Sequence, residues 1–278
     1  QWMLDAKNPL TARVFVNRVW QEFFGRGIVK TVGDFGMQGE LPSHPQLLDW
    51  LSVDFRSHGW DIKRLVKQIV LSATYRQSSV ITKEHLSKDP ENEFLSRAPR
   101  MRISAEFVRD MVLASSGLLN HEIGGPSVKP YQPKGLWESA TSGRGILKTY
   151  IQDHGDSLYR RGMYVFIKRT VPPPNMLIFD ASNRDQCEVK RSRTNTPLQA
   201  LLMLNDPVVL ESARTLAEKL SKEKSSVDEK INKAFRQIVC RQAKTKELDV
   251  IRKYFDEEKT ALTKEPQKAA RLLSVGES

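Results

Sequence analysis

The sequence has few of the residues and motifs from which reactive sites are usually built. It contains two cysteines, Cys187 and Cys240, which excludes a multi-bridge disulfide framework, a C-x-x-C-H haem attachment and a cysteine-based zinc set. It also lacks the H-E-x-x-H, G-x-S-x-G, phosphate-loop and dinucleotide-binding motifs. No enzyme class can therefore be assigned by motif, and we expect neither a metal site nor a cofactor in this chain.

The five histidines are isolated from one another and show no metal-ligand spacing. Only His154 has flanking carboxylates, those of Asp153 and Asp156, and its stretch is typical of a loop. We interpret this cluster as loop residues, with no metal or acid/base role. A Ser/His/Asp set assembled from distant segments stays open.

Long hydrophobic runs are also missing, because no apolar stretch approaches the roughly 18 residues that a membrane-spanning helix needs. No signal peptide is evident either. The chain begins with Gln1 instead of methionine and ends at Ser278, just after an apolar, helix-like patch. We therefore expect a fragment of a longer protein, for which the missing export signal is uninformative.

Positive charge is present in excess, with a formal net charge of +11. In the window from Arg160 to Arg193, eight Lys/Arg stand against three Asp/Glu, which makes this segment locally about +5. Such an excess indicates a polyanionic partner: nucleic acid, a sulfated or uronic polysaccharide, or an acidic membrane surface. The rest of the charge is spread along Lys/Glu-rich helices.

Hydrophobic periodicity predicts a mainly α fold, a helical bundle-like domain with a small β element and long Gly/Pro-rich loops. The β element consists of short strands near 162–168 and 176–180. Helices are predicted from Asn8-Pro9 to Phe24, from Pro45 to Arg56, after Asp61, from Ser104 to Ser116, after Thr196, from Pro207 to Lys222, from Val227 to Val239 and after Thr245.

The chain is expected to divide near residue 103. Residues 1–103 are predicted to form an N-terminal helical subdomain and a polar connector. Residues 104–278 are predicted to form a C-terminal helical part that contains the basic strand/loop segment 159–196. We expect the two parts to belong to one continuous domain.

The segment RDQCEVKRSRTNTPLQALLMLNDP, from Arg184 to Pro207, combines a basic run with two helix starts. Thr196 and Gln199 have the spacing of a capping box, and Pro197 occupies the first helical position, where its missing N–H has no consequence. Asp206 is a natural N-cap for the helix that follows. The chain is therefore expected to turn sharply between two consecutive helices.

Three cations, Lys190, Arg191 and Arg193, precede the first of these helices. Positive charge near a helix N-terminus is unfavourable unless an anion or a carboxylate answers it. Two arrangements satisfy this requirement. The arginines are either buried against Asp180 or Glu188, or exposed beside Tyr131 and Trp137 as an anion site.

The candidate site residues form two groups, and none of them is assigned as catalytic. The candidates for binding an anion or a partner are Arg160, Arg161, Lys168, Arg169, Arg191, Arg193, Asn195 and Gln199. The candidates for a structural polar network are Asn17, Arg18, Glu106, Arg109, Asp110 and Asp180. Glu106, Arg109 and Asp110 are spaced for pairing along one helix face, and Asn17 falls beside a buried stripe, where its amide needs hydrogen bonds.

Several stretches carry a family resemblance: NPLTARVFVNRVWQEFFGRGIVKTVGDFG, GGPSVKPYQPKGLW, and YRRGMYVFIKRTVPPPNMLIFDASNRDQC followed by RTNTPLQALLMLNDP. From about Asn8 to the C-terminal helices, the chain resembles the planctomycete-type domain of unknown function 1553. This bacterial family is found C-terminal in large exported proteins with c-type cytochrome modules. The resemblance implies export to the periplasm or cell surface, and haem only in upstream modules that are absent here.

Three functional hypotheses follow. The first is a non-catalytic binding or scaffolding module whose basic face, Arg160–Arg193, holds an anionic polysaccharide or the companion haem domain. The second is an enzyme of unknown reaction, for example a carbohydrate-active one, centred on the polar residues of 160–199. The third is nucleic-acid binding by charge alone. It is disfavoured because no helix-turn-helix with a basic recognition helix and no aromatic-rich sheet is evident, and because the family is exported.

Overall fold

The computed structural model describes residues 2–5, 7–141, 145 and 147–278. The described residues contain twelve α-helices and three short 3-10 helices. Their only β pairing consists of isolated bridges, such as Val128 with Val165 and Lys168 with Val171. The prediction of a mainly α fold is therefore confirmed.

The chain forms two compact units. The N-terminal unit comprises Gln1–Arg102 with Glu188–Lys190, and the C-terminal unit comprises Ile103–Cys187 with Arg191–Ser278. The boundary after Arg102 coincides with the end of the polar connector, where few apolar residues are available to extend a core.

The N-terminal unit is built on four helices: α1 Leu10–Phe24, α2 Pro45–Ser57, α3 Ile62–Leu71 and α4 Lys83–Lys88. Its core brings together the apolar stripes of the first three, including Val16, Trp20, Leu51, Phe55 and Leu65. α1 ends at Gly25, whose φ of 75° is the left-handed conformation that glycine adopts without a Cβ clash. α1 and α2 begin and end within two residues of their predicted bounds, and α3 begins directly after Asp61, as predicted.

The predicted connector, 74–102, has more structure than its composition suggested. It contains the short helix α4, and the buried Arg97 holds its second half by donating to the carbonyl oxygens of Asp89 (2.8 Å) and Pro90 (2.9 Å). A single buried guanidinium with backbone partners thus orders a segment that has little apolar surface of its own.

The C-terminal unit contains the remaining helices: α5 Ala105–Ser116, α6 Leu136–Thr141, α7 Pro174–Ile178, α8 Pro197–Asn205, α9 Pro207–Ser221, α10 Val227–Val239, α11 Thr245–Lys264 and α12 Pro266–Leu273. α5 packs against α9. Val112 and Leu113 of α5 share a core cluster with Val208 of α9 and with Leu158 and Tyr159, which lie just before Arg160. Leu158 and Tyr159 are thereby fixed against α5 and α9.

Neither predicted strand forms as such. Residues 162–168 make a 3-10 turn, Gly162–Tyr164, followed by the isolated bridges at Val165 and Lys168. The prediction of a strand over 176–180 is wrong, because α7 begins at Pro174. Proline at the first helical position has its φ already near the helical value and needs no hydrogen-bond acceptor for an N–H, so it favours helix over strand in the residues that follow.

Candidate functional site

Arg160, the first of the predicted anion-binding residues, is buried, with 3% of its surface exposed. Its guanidinium donates to the carbonyl oxygens of Pro126 (2.8 Å) and Gly124. The guanidinium carbon lies 3.9 Å from the ring centroid of Tyr164, and the hydroxyl of Tyr164 accepts the N–H of Gly124 at 2.8 Å. Arg160 therefore fixes the Gly/Pro-rich loop from inside the protein.

The neighbouring Arg161 is engaged with α5. Its Nε lies 3.3 Å from Oδ2 of Asp110, whose Oδ1 accepts the N–H of Gly162 at 2.6 Å. Arg109, the residue before Asp110 in α5, is buried and donates to the carbonyl oxygens of Leu158 and Arg160. Burial lowers the pKa of Arg109 from its usual value, and the nearby carboxylates of Asp206 and Asp110 oppose that shift. These side chains bind α5 to the basic segment.

Arg191, one of the cations that precede α8, is neutralised by a carboxylate of the protein. Its Nη1 lies 2.9 Å from Oε1 and 2.8 Å from Oε2 of Glu106, which is 85 positions earlier in the chain. The pair is partly shielded from solvent, with the glutamate side chain 19% exposed. The carboxylate that neutralises the arginine is thus neither of the two expected, Asp180 or Glu188, and no ligand is required.

Gln199 and Asp180 organise the chain that leads into α8. Gln199 is 1% exposed, and its Nε2 donates to the carbonyl of Ile178 (2.8 Å) and to Oγ1 of Thr194 (3.1 Å). Its Oε1 accepts the N–H of Thr196 at 3.3 Å, as a capping box requires. The carboxylate of Asp180 accepts the N–H of Thr194 at 2.7 Å. Both residues therefore hold the backbone of 178–199.

The remaining anion-binding candidates differ in their surroundings. Lys168 donates to the carbonyl of Leu147 at 2.7 Å, and its Nζ lies 4.4 Å from the ring centroid of the buried Trp137. Arg169 is exposed. Arg193 is half-buried and Asn195 is exposed, and both interact with other residues of the protein. The eight candidates do not converge on a common cleft.

Asn17 and Arg18 belong to the N-terminal unit and have opposite environments. Asn17 is fully buried; its Nδ2 donates to the carbonyl of Val29 at 3.0 Å, and its Oδ1 accepts the N–H of Val29 at 2.8 Å. Arg18 is exposed. Asn17 thus holds the turn after α1, while the arginine next to it faces solvent.

Helix α8 is apolar on its exposed side as well as on its packed side. Gln199 is its one fully buried residue, and Leu202 and Met203 pack beside it against the core. The other three leucines, Leu198, Leu201 and Leu204, are 54%, 56% and 69% exposed. A helix of a globular protein normally exposes polar residues on its outer face, so this row of exposed leucines is unusual.

A cleft lies against this helix, and we call it the α8 cleft. It has a volume of about 660 Å³, within the range of sites that bind small molecules or peptide side chains. Its lining residues are Pro130, Tyr131, Gln132, Pro133, Tyr150, Gln152, Val165, Pro173, Pro174, Asn175, Ile178, Leu198, Leu201, Leu202, Asn205, Asp206 and Pro207. None of the residues predicted to bind an anion is among them.

Two polar side chains in the wall of the α8 cleft have buried polar atoms. The hydroxyl of Tyr131 faces Glu211 and Tyr159 behind the cleft, and Nε2 of Gln132 is buried without a hydrogen-bond partner among the described residues. Burial, together with the nearby carboxylate of Glu211, raises the pKa of Tyr131 to about 12, so the phenol is a neutral hydroxyl at physiological pH. The other tyrosine of the lining, Tyr150, donates its hydroxyl to the carbonyl of Pro130.

A buried carboxylate lies behind the cleft. Glu211 is 1% exposed, and its Oε1 accepts the hydroxyl of Tyr159 at 2.8 Å and the backbone N–H groups of Glu277 and Ser278, each at 2.7 Å. Burial, and then the hydrogen bond to Glu211, raises the pKa of Tyr159 above its usual value. The arrangement anchors the segment 277–278 to α9.

The described residues contain no group of three or more His, Cys, Asp and Glu side chains that could hold a metal ion. His154 pairs with Glu277 at 2.6 Å, and Oδ2 of Asp153 accepts the N–H of Lys129 at 2.6 Å. Both cysteines are exposed as free thiols. In the described part of the chain, no helix has the length and hydrophobicity to cross a membrane.

Sequence reasoning did not find the α8 cleft, because its walls come from several separate parts of the chain: the loop 130–133, residues 150, 152 and 165, the stretch 173–178, and helix α8 with the start of α9. Two signals were available. The run Leu198 to Leu204 is unusually apolar for a nine-residue helix, and prolines cluster on both sides of it. Neither signal shows which face of the helix is buried.

Comparison with known protein families identifies a matching family. The sequence model of the PSD1 family, described as "Protein of unknown function (DUF1553)", matches residues 1–255. No curated protein and no solved structure matches the chain. Since the match covers 255 of 278 residues, the chain belongs to the PSD1 family of proteins of unknown function.

Proposed function

We propose that this chain is a binding module and that its binding surface is the α8 cleft in the C-terminal unit. The observation that carries the proposal is the apolar outer side of α8, which exposes Leu198 and Leu201 to the cleft. Contiguous exposed apolar surface next to a concave site is typical of surfaces that bind a partner or ligand.

The exposed leucines provide the driving force for binding. Full burial of a leucine side chain contributes about 1.5–3 kcal/mol. Leu198 and Leu201 are each about half exposed, so covering each of them contributes about 1 kcal/mol. The prolines and tyrosines around them add rigid apolar surface, which loses little conformational entropy when a ligand binds.

The basic segment is better explained as structure than as the binding face. Arg160, Arg161 and Arg191 are occupied by carbonyl and carboxylate groups of the protein. An anion-holding face would depend on residues such as Arg169, and a polysaccharide partner is supported by the net charge of +11 alone. The enzyme hypothesis has the same difficulty, because Asp180 and Gln199 bind backbone groups and do not line the cleft.

We also propose that the module acts within a longer exported protein, beside a haem-bearing companion module, and binds no cofactor itself. Membership of the PSD1 family supports this context. The α8 cleft is compatible with it, because an exposed apolar surface on a module of a larger protein can be covered by another part of that protein or by a separate partner.

The proposal is tested with N-phenyl-1-naphthylamine, a neutral apolar dye that fluoresces when it leaves water. The full chain should bind the dye saturably, and Leu201→Gln should weaken binding about fivefold, as expected for losing about 1 kcal/mol of apolar contact. Leu204→Gln is the matched control, since Leu204 lies on the same helix, is exposed and does not line the cleft. Equal affinities for the two variants, or no saturable binding, would refute the proposal.

A further inference from the structure

We infer that the N-terminal unit contains a second binding site, which takes a small organic anion with an apolar body, such as an aromatic carboxylate. The site is a pocket whose walls come from parts of 20–28, 43–44, 81 and 91–101, and we call it the connector pocket. All of its lining residues belong to the N-terminal unit. The inference is therefore independent of the binding role proposed for the α8 cleft.

The connector pocket has the size and the apolar surface of a small-molecule site. Its volume is about 360 Å³, and sites for small ligands begin at about 300 Å³. The rings of Trp20 and Phe24 line it as nearly buried core residues. Ile81 is 43% exposed, and Leu95 and Met101 are half-buried. The apolar body of a ligand can therefore cover surface that water now contacts.

The pocket carries positive charge that its own carboxylates do not neutralise. Three arginines and two glutamates line it. Arg26 engages both glutamates, because its Nη1 lies 3.4 Å from Oε2 of Glu91 and its Nη2 lies 2.9 Å from Oε1 of Glu93. The other two arginines, Arg97 and Arg100, make no ion pair with any carboxylate that the structure describes. Two guanidinium charges thus remain for an anion.

Arg97 is a fixed, buried charge in the wall of the pocket. It is 7% exposed, and its Nη1 and Nη2 donate to the carbonyl oxygens of Asp89 and Pro90. These oxygens satisfy two donors but carry no formal charge. The carboxylate of Asp89 accepts the N–H groups of Glu93 (2.7 Å) and Phe94 (3.2 Å) and forms no ion pair with Arg97. The guanidinium therefore keeps a net charge inside the protein.

Arg100 supplies the charge that a ligand can reach. It is exposed, lines the pocket three positions after Arg97, and is engaged with no other residue in the described part of the chain. A guanidinium presents paired N–H groups that match the two oxygens of a carboxylate.

The wall that carries both arginines is already ordered. The side chain of Asn92 exchanges two hydrogen bonds with the backbone of Arg97: Oδ1 accepts its N–H at 3.3 Å, and Nδ2 donates to its carbonyl at 2.9 Å. A preformed wall loses little conformational entropy when a ligand binds. The charged end of the ligand thus binds Arg100 near the buried charge of Arg97, and its apolar body packs against the apolar walls.

The test compares para-trifluoromethylbenzoate with para-trifluoromethylbenzyl alcohol, which has nearly the same shape and no charge. Binding to the full chain is followed by fluorine NMR. The benzoate should bind at least about fivefold more tightly than the alcohol. Arg100→Gln should weaken the benzoate about three- to tenfold, since it removes a charge-assisted hydrogen bond, and should leave the affinity for the alcohol unchanged. Arg18→Gln is the matched control, because Arg18 is an exposed arginine of the same unit that does not line the pocket.

A second variant tests the location without changing the charge. Ala98→Leu enlarges a side chain of the pocket wall and should weaken both compounds. Equal affinities of the wild type for the two compounds, no saturable benzoate binding, or equal benzoate affinities of Arg100→Gln and Arg18→Gln would overturn the inference. Benzoate binding that depends on Leu201 instead of Arg100 would place the anion in the α8 cleft and would also overturn it. None of these results would change the outcome of the dye experiment, so the two proposals can fail separately.

Discussion

Asn17 allows one quantitative prediction to be worked out fully. The side chain is completely buried and exchanges two hydrogen bonds with Val29, accepting from its N–H at 2.8 Å and donating to its carbonyl at 3.0 Å. Replacement by alanine leaves both backbone groups buried and unpaired. Each such group costs about 1–3 kcal/mol, so we expect Asn17→Ala to lower the free energy of unfolding by about 2–5 kcal/mol.

Asn17→Asp makes the prediction sensitive to pH. The introduced carboxylate can still accept from the N–H of Val29 but faces its carbonyl oxygen without a proton to donate. Burial and this repulsion raise the pKa of the introduced carboxyl above its unfolded value of about 3.9. A raised folded-state pKa gives relative stability that is present below the unfolded pKa and is lost as pH rises through the folded one. The deficit relative to the wild type should be about 3 kcal/mol at neutral pH and should shrink toward about pH 4.

The assay is urea unfolding at pH 7 and pH 4, followed by circular dichroism, with amide exchange at Val29 as the local readout. Gln38→Glu, an exposed amide-to-acid change in the same unit, should shift stability by less than about 0.5 kcal/mol at both pH values. A deficit for Asn17→Asp that is as large at pH 4 as at pH 7 would show that the reciprocal hydrogen bonds are not the source of the effect.

Two further predictions concern charged groups. In a double-mutant cycle of unfolding free energies, Arg191→Ala and Glu106→Ala should show a coupling of about 1 kcal/mol, because the pair is only partly buried. The affinity of Arg191→Ala for dextran sulfate should stay within about twofold of the wild-type affinity. A large loss of that affinity would show that Arg191 binds a ligand. Burial raises the pKa of Asp89, but hydrogen bonds from the N–H groups of Glu93 and Phe94 outweigh it and hold the pKa below 3.8. That stabilisation is present above about pH 3.8 and is lost as pH falls below it. Amide exchange in the loop after α4 should therefore accelerate below about pH 3.8. In Asp89→Asn, the exchange rate should depend less on pH.

Much of the helical framework could be read from local sequence signals. The capping pair Thr196 and Gln199 marked the start of α8, Asp206 and Pro207 marked that of α9, and glycine ended α1 and α5. Such signals act over four or five residues, so they do not depend on the rest of the fold. Helix starts are therefore the part of this structure that the sequence predicts best.

The sequence could not show which long-range partner each polar residue meets. Glu106, Arg109 and Asp110 have the spacing of a surface network, yet each bonds to a segment at least 49 positions away. The orientation of α8 is equally hidden, because a run of leucines does not show which of them pack inward beside Gln199 and which stay exposed. Both depend on contacts that exist only after the chain has folded.

The Gly124–Gly125 turn is held by two residues that lie close together in the chain, Arg160 and Tyr164. Arg160 donates to the carbonyl of Gly124, and the hydroxyl of Tyr164 accepts the N–H of the same residue, so the peptide groups on both sides of Gly124 are held by one short stretch of chain. Two glycines in succession would otherwise give this loop wide conformational freedom. The same loop continues into Pro130 and Tyr131, so the contacts that fix Gly124 also restrain one rim of the α8 cleft. The glycines at the far end of the loop thus set how firmly that rim is held.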